Sequence, residues 1–429
     1  MDEKTEKLLH RTITEHADEY VRRLLDLVAI DTQDIGHGID GGREEEGQIY
    51  LEKFLGSLGA DTSREPLSED IVSKGLSAYG EGNPGHNYKS PDRWNLIASF
   101  GGEKKGRSLI FDGHIDTMPP GDLSLWSSNP WNAEVRDGKA YGLGACDMKG
   151  GLMASVLAVK CIIDAGLNLP GPVTILSVAD EEGGGNGSLA AMLAGHRADA
   201  AVVCEPSDGT LTVAHMGFIF FSVEVSGIAL HSGSKWNGVN AIEKAAVLMD
   251  ALGELEHRWL MTRKHPLLPP PTLNIGVISG GTAGSTVPDK CVFKLCLHYH
   301  PAMGHDLTVR EVTDAIMTRA AGDEWLRVHP PKIEIYHAGG AFEMETGHEF
   351  VKTASLCVES VKGAAPALYG SPAGNDARLL RNIGGMPTVV MGPGQMAQCH
   401  SIDEYVEVKD FLAFIEIYAQ LILEWCREP

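Results

Sequence analysis

Short apolar runs recur along this chain, and helical patterns separate them. The run at 173–178 reads Val-Thr-Ile-Leu-Ser-Val, with almost no polar residue in alternation, and the pattern at 148–165 is typical of a helix. Strands buried on both faces read as continuous apolar segments, and helices usually cover those faces. The sequence therefore predicts an α/β fold with a mostly parallel central sheet and helices on both sides. The other strands predicted for this sheet are 95–100, 108–111, 199–204 and 387–391.

The region before this alternation predicts two helices and a long connection. Apolar periodicity predicts helices at 4–28 and 45–58. Residues 63–95 are polar and rich in glycine and proline, and they have no clear period. A loop of that length in a compact chain is expected to be either functional or mobile.

The middle of the chain follows a different order of elements. It reads strand, helix, strand, strand, helix, strand, which is the ferredoxin-like split motif. Thr308 and Glu311 have the spacing of a capping box at the start of the second helix. We therefore expect an inserted domain at 213–337, and a discontinuous metal-binding catalytic domain made of 1–212 and 338–429. The strands are predicted at 218–225, 272–278, 292–299 and 332–336, and the helices at 239–256 and 307–321.

Composition excludes several classes of partner. Lys and Arg total 36 against 58 Asp and Glu, which gives a formal charge of −22. Nucleic acids and anionic membranes are therefore not expected as partners, because binding to phosphate needs a basic face. No apolar run approaches the roughly 18 residues of a membrane span, and the charged N-terminus lacks a secretory core. The eight cysteines include no Cys-x-x-Cys pair, so we expect reduced thiols and a cytoplasmic location.

Acidic residues and histidines follow the predicted strands of the α/β domain. Ligands of open α/β sheets lie outside the carboxyl ends of the strands, so these side chains are expected at one rim. Taken singly, each would most often be a turn former or a solvated residue. The residues at these strand ends, with one at a helix start, are His114, Asp116, Asp147, Glu181, Glu182, Glu205 and His400.

Several carboxylates at one rim repel one another unless cations lie between them. Two histidines with three carboxylates suit zinc, manganese or cobalt better than they suit a thiolate structural site. His114 and Asp116 face the same way on an extended segment, so Asp116 is expected to accept the second ring N–H of His114. Glu181 and Glu182 are adjacent and point apart, so one can bind metal while the other holds a water.

Five motifs occur in the order found in a known family, and they cover most of the chain. Together they resemble the co-catalytic metallohydrolases that include acetylornithine deacetylase, succinyl-diaminopimelate desuccinylase, aminoacylase and carboxypeptidase G. The motifs are His114-Ile-Asp116-Thr-Met-Pro, Gly144-Ala-Cys-Asp147-Met-Lys-Gly-Gly, Asp180-Glu181-Glu182-Gly-Gly, Cys204-Glu205-Pro and Cys399-His400-Ser-Ile-Asp-Glu.

The resemblance implies a ligand set for two divalent metal ions. His114 and Glu205 would bind one ion, Glu182 and His400 the other, and Asp147 would bridge them. Zinc is the first candidate, with manganese or cobalt as alternatives, and one of the two sites is allowed to be weak or empty. The resemblance also makes Glu181 the general base and Asp116 a second catalytic residue.

The inserted domain would then be a lid that forms a homodimer. By the same resemblance, His231 reaches the partner subunit's active site and stabilises the oxyanion. The residues expected to contact the small-molecule substrate are Asn240, His298, Asn375 and Arg378. The chain departs from the family where Leu297-His298-Tyr299-His300-Pro301 stands in place of a common lid arginine, and where Asn375 replaces a frequent threonine.

These features predict a metal-dependent hydrolase of C–N bonds, acting as an amide deacylase on an N-acyl amino acid or a related compound. One alternative is an atypical aminohydrolase that acts on an aromatic or other non-peptide C–N bond. Another is a dipeptidase or carboxypeptidase with the same site. A non-catalytic metal-binding protein is the least favoured reading, because Glu181 has no role in simple binding.

Overall fold

The computed structural model describes residues 1–34, 42–89, 93–101 and 106–427. The chain forms two compact units. The first comprises Met1–Val213, Met344–Tyr369 and Asn375–Pro429, and the second comprises Ala214–Glu343 and Gly370–Gly374.

The helices and strands of the described residues are numbered along the chain. The helices are α1 (Glu3–Val28), α2 (Glu45–Ser57), α3 (Glu69–Tyr79), α4 (Lys149–Asp164), α5 (Asn186–Ala194), α6 (Ala241–Thr262), α7 (His305–Ala321), α8 (Glu349–Lys362), α9 (Ala377–Asn382) and α10 (Val408–Trp425). The strands are β1 (Asp61–Pro66), β2 (Trp94–Phe100), β3 (Leu109–His114), β4 (Glu134–Arg136), β5 (Lys139–Tyr141), β6 (Val173–Val178), β7 (Ala200–Val203), β8 (Leu211–His215), β9 (Gly217–Ser226), β10 (Thr272–Gly280), β11 (Lys290–Tyr299), β12 (Lys332–Gly339), β13 (Phe342–Glu343), β14 (Leu368–Ser371), β15 (Thr388–Val390) and β16 (Tyr405–Glu407).

The main sheet of the first unit is parallel at its centre. Its strands follow the order β1-β2-β6-β3-β7-β15-β8. The four central strands, from β6 to β15, are parallel, whereas β1, β2 and β8 pair antiparallel with their neighbours. The predicted α/β class is confirmed, and the carboxyl ends of β3, β6 and β7 point to one rim.

Helix α4 forms the centre of the helical layer in the first unit. Residues from Lys149 to Val159 are all buried, and the helix packs against α1 and α10. A helix that is apolar on every side is stable only when other elements surround it. This burial fixes the start of α4, where Asp147 lies two residues upstream.

The prediction of an unstructured connection at 63–95 is partly wrong. Strand β1 begins at Asp61, and α3 occupies Glu69–Tyr79. The Ser68 side chain caps the N-terminus of α3, and Gly80 ends the helix with a φ of 68°. The apolar stripe of this short helix is too narrow for periodicity to reveal it. Residues 90–92 lie outside the described part.

The second unit has the ferredoxin-like order that the sequence predicts. Its antiparallel sheet runs β10-β11-β9-β12, and α6 and α7 cover one face. The expected capping box is wrong, because α7 begins at His305 and its N-cap is Gly304. Thr308 is instead buried in the first turn, where its hydroxyl donates to the Gly304 carbonyl at 2.8 Å.

Across the described ranges, we find no helix that combines the length and the apolar character needed to span a bilayer.

Candidate metal centre

Two groups of ligand-type side chains lie at the rim of the first unit, and they share Asp147. In the first group, His114 Nε2 lies 3.1 Å from Asp147 Oδ1 and 3.5 Å from Glu205 Oε1. In the second, His400 Nε2 lies 3.3 Å from Asp147 Oδ2 and 3.1 Å from Glu182 Oε1. The ligand atoms of each group all lie within 4.8 Å of one another.

Local structure accounts for the position of each ligand. His114 is the last residue of β3, and Glu205 follows β7 by two positions. Glu182 lies in the turn between β6 and α5, where the chain reverses over three glycines. His400 has a φ of 58°, which is uncommon for a residue with a side chain, and this conformation turns the imidazole toward Asp147 and Glu182.

The pKa shifts at the rim reflect too much negative charge in a small space. Burial and the neighbouring Asp147 raise the pKa of Glu205 to about 7. Hydrogen bonds to Asp147 and Glu182 raise the pKa of His400 to about 11. A divalent cation would replace the protons held by these groups, because metal ligands bind in their deprotonated forms. Nitrogen and oxygen donors in these numbers fit zinc, manganese or cobalt.

Glu181 belongs to neither ligand group, yet it lies beside them. Its Oε2 is 4.0 Å from His114 Nε2, and only 14% of its side chain is exposed. Burial, together with the negative charge of Asp376, raises the pKa of Glu181 well above its usual range. A carboxyl group with a raised pKa close to a metal-ligand cluster is suited to proton transfer.

Asp116 makes a different contact from the one expected. The Nδ1 atom of His114 is 2.9 Å from the backbone carbonyl of Asp116, while the carboxylate lies 3.9 Å away. The expected carboxylate contact is therefore wrong, and the carbonyl orients the imidazole instead. The Asp116 carboxylate accepts the backbone N–H of Glu182 at 3.0 Å, which joins the two ligand-bearing turns.

Glu404 is a site residue that the sequence reasoning missed. Its buried carboxylate accepts the backbone N–H groups of Gly144, Cys146 and Asp147, at 2.8 to 2.9 Å. It therefore ties the His400 segment to the loop that presents Asp147. The signal was available, since Glu404 ends the Cys-His-Ser-Ile-Asp-Glu motif, but no rule of spacing gave it a role.

The predicted substrate residues of the first unit are engaged within the chain. Arg378 is 3% exposed, and its guanidinium donates to Glu81 Oε2 at 3.1 Å and to the carbonyls of Asn375 and Gly184. Asn375 also accepts the backbone N–H of Ala377 through its side chain. Their roles toward substrate stay predictions.

The second unit carries the remaining predicted residues. Asn240 is the N-cap of α6, where it accepts the N–H groups of Ile242 and Glu243. His298 lies on β11 and is half-buried, which lowers the pKa of its imidazole. His231 is exposed between β9 and α6, and its Nδ1 accepts the N–H of Gly233 at 3.1 Å. The structure does not test the roles of these three residues.

Comparison with known proteins identifies the family. The profile of Peptidase family M20/M25/M40 matches residues 110–424. The chain belongs to this family. It is 30% identical over 370 residues to N-formyl-4-amino-5-aminomethyl-2-methylpyrimidine deformylase of Bacillus subtilis, a match that covers 79% of this chain and 86% of that protein.

Other M20 relatives extend the comparison. The chain is 30% identical over 349 residues to acetylornithine deacetylase of Shigella sonnei, covering 78% of this chain and 84% of that one. Its fold is similar to that of an M20 family metallo-carboxypeptidase from Sulfolobus solfataricus, with a TM-score of 0.72 at 16% identity over 94% and 98% of the two chains. This M20 protein is thus a hydrolase, and the predicted family and enzyme class are confirmed.

Proposed function

We propose that this M20 protein hydrolyses the amide C–N bond of an N-acylated small molecule with the help of two divalent cations. The observation that carries the proposal is the largely buried Glu181 carboxyl beside two ligand groups that share Asp147. A protein that only stored or sensed metal would have no use for an acid–base group in that position.

The residue roles follow from the donor atoms in each group. His114 and Glu205 would hold one ion, Glu182 and His400 the other, and Asp147 would contact both. Zinc is the first candidate, and manganese or cobalt fits the same donors. When bound, such a pair supplies a water of lowered pKa and stabilises negative charge on the carbonyl oxygen.

The chain's own residues then move protons and orient groups. Glu181 takes a proton from the attacking water on its carboxylate and gives it to the departing nitrogen, so that the amine leaves neutral. Asp116 keeps His114 and Glu182 in place, through its carbonyl and its carboxylate respectively. His231 donates a hydrogen bond to the oxyanion from a partner subunit.

The substrate we favour is an N-formyl derivative of an aminomethyl heteroaromatic ring. The B. subtilis relative is named for such a compound, and the S. sonnei relative is named for an acetylated amino acid. Arg378 is one of the residues expected to contact the substrate, and an arginine there could pair with a substrate carboxylate, but its guanidinium is paired with Glu81. This engagement favours an amine without a carboxylate at that position, and it disfavours the N-acyl amino acid.

A substrate panel tests this function. Zinc-loaded protein would be assayed with N-formyl and N-acetyl derivatives of both 4-amino-5-aminomethyl-2-methylpyrimidine and ornithine, and with a dipeptide. We expect the highest kcat/KM for the N-formyl pyrimidine. Higher kcat/KM for acetylornithine or the dipeptide would overturn the substrate class, and hydrolysis of none would overturn the function.

We also propose a homodimer formed through the second unit. Strand β10 is an edge of its sheet, and Val277 and Ile278 on this strand are each 52% exposed. An exposed apolar edge strand is a template for pairing with a second chain. Val277→Lys is expected to give a monomer in sedimentation, whereas Val135→Lys, on the first unit, leaves the dimer intact. A monomeric wild-type protein would overturn the proposal.

We also propose a cytoplasmic location, which the eight free cysteines support.

A further inference from the structure

Asp180 precedes the Glu181–Glu182 pair and has an unusual backbone conformation. Its φ is 65°, in the left-handed region that residues with side chains seldom adopt. Such a conformation persists only where the surroundings hold it. Asp180 is fully buried, and it is not a member of either ligand group.

Four donors converge on the Asp180 carboxylate. The Tyr88 hydroxyl and the Asn186 amide each donate at 2.6 Å. The His86 Nδ1 atom lies at 2.8 Å and the Arg93 guanidinium at 3.0 Å. Three of these donors, Tyr88, His86 and Arg93, come from the segment after α3.

The backbone of Asp180 closes the turn that carries the two glutamates. Its carbonyl accepts the N–H groups of Gly185 and Asn186, both at 3.1 Å. Glu181 and Glu182 therefore lie inside a loop whose two ends are joined. The loop also packs tightly, because a Cβ added at Gly183 would lie 2.3 Å from Asp180 Oδ1.

Arg93 connects this turn with the segment that follows His114. Its buried guanidinium also pairs with Glu44 and Asp34. The backbone N–H of Asp34 donates to the carbonyl of Thr117 at 2.9 Å, next to Asp116. The Arg93 guanidinium thus contacts the Asp180 turn directly, and it contacts the segment after His114 through Asp34.

We propose that Tyr88, His86 and Arg93 are positioning residues. They hold the Asp180 turn so that Glu181 can accept a proton from the attacking water and Glu182 can bind a metal ion. This inference rests on the proposed hydrolase function. It assigns residues 81–89 and Arg93 to the active site, although none of these described residues belongs to the ligand groups.

The test compares Tyr88→Phe with Tyr20→Phe. Both changes delete a buried tyrosine hydroxyl that donates to an aspartate, and the Tyr20 contact, 2.9 Å from Asp164, lies among α1 and α4. Groups behind metal ligands typically alter metal affinity or activity by about 10–100-fold. We expect Tyr88→Phe to lower kcat by that range with KM within about twofold, and to weaken one of two zinc equivalents about tenfold in a calorimetric titration. Tyr20→Phe is expected to change the melting temperature only.

A second pair of variants guards against misfolding of Tyr88→Phe. Asparagine places an amide nitrogen where the histidine has Nδ1, so His86→Asn should keep kcat within about threefold. Leucine has no donor there, so His86→Leu should lower kcat and weaken one zinc equivalent, as Tyr88→Phe does.

The outcomes separate this inference from the proposed function. Suppose that wild-type protein binds zinc and hydrolyses an amide, and that Tyr88→Phe and His86→Leu have the same kcat and zinc affinity as Tyr20→Phe. The positioning role is then overturned, and the proposed function is not. If wild-type protein binds no divalent cation and hydrolyses nothing, the proposed function is overturned, and this inference with it.

Discussion

Glu181 is the single side chain on which turnover should depend most. Glu181→Gln removes the proton acceptor but preserves size, and it leaves both ligand groups intact. We expect metal content to stay at the wild-type level, while kcat falls by about 100-fold or more, since general acid–base groups contribute about 10²–10⁴. Kinetics together with metal analysis of one preparation would check this. Substantial activity in a metal-replete variant would remove the assignment of Glu181 as the base.

Glu404 offers a second test at the scale of one residue. Its carboxylate accepts three backbone N–H groups of the Asp147 loop, and an amide nitrogen at either oxygen position could not accept them. We expect Glu404→Gln to destabilise the fold by about 1–3 kcal/mol and to weaken metal binding about 10–100-fold. Glu407→Gln, a partly exposed position three residues later, is the control. Wild-type metal affinity in Glu404→Gln would contradict the role of this carboxylate.

The sequence located the candidate metal ligands better than it located the groups that hold them. His114 and His400 could be proposed as ligands because metal sites use few residue types, and these residues follow predicted strand ends. The partners of Asp180 could not be found in this way, because Tyr88 and Arg93 lie about 90 residues upstream and nothing local marks them. The same holds for the Glu81–Arg378 pair, which is separated by 297 residues.

At the scale of an element, the contact between α4 and Cys204, the residue that follows β7, decides where Glu205 lies. A Cβ added at Gly151 in α4 would lie 1.8 Å from the carbonyl oxygen of Cys204, the residue before Glu205. Gly151→Ala is therefore expected to cost about 1–3 kcal/mol and to weaken metal binding. Gly253 in α6 has open space around it, so Gly253→Ala should stabilise by about 0.5–1 kcal/mol. Urea unfolding and zinc titration of both variants would check this pair, and equal stability of the two would contradict the packing argument.

Several elements were predicted closely, including the short strands β7 and β15, whereas the long helices α8 and α10 were not predicted. The strand predicted at 173–178 is β6 with identical bounds, and the helix predicted at 4–28 is α1 to within one residue. Strand β1 and helix α3 were missed because β1 is a largely exposed edge and α3 buries only Val72 and Gly75. Their formation depends on tertiary contacts more than on local periodicity.

At the scale of the whole molecule, the site links metal binding, pH and stability. The fold raises the pKa of Glu205 from 4.5 to about 7, so the stability contributed by its proton is complete below pH 4.5 and is lost as pH rises through 7. The fold also raises the pKa of His400, from 6.5 to about 11, so the stability contributed by the His400 proton is likewise lost as pH rises through this range. The contribution of these two groups to the stability of the chelator-treated protein should therefore fall from pH 5 to pH 8.

Zinc should oppose this loss, since it binds the deprotonated ligands. The rise in melting temperature on adding zinc is expected to grow steadily between pH 5 and pH 8. Calorimetry at four pH values, with and without zinc, gives this difference directly. A zinc effect that is constant, or larger at pH 5, would contradict the linkage.

The most direct test of the two-ion centre is anomalous diffraction from crystals of the zinc-loaded protein. We predict two anomalous peaks about 3.5–4 Å apart, with Asp147 in contact with both, His114 and Glu205 at one, and Glu182 and His400 at the other. Anomalous peaks located away from these five side chains, or no peak at all, would contradict the proposed metal centre and the hydrolytic mechanism built on it.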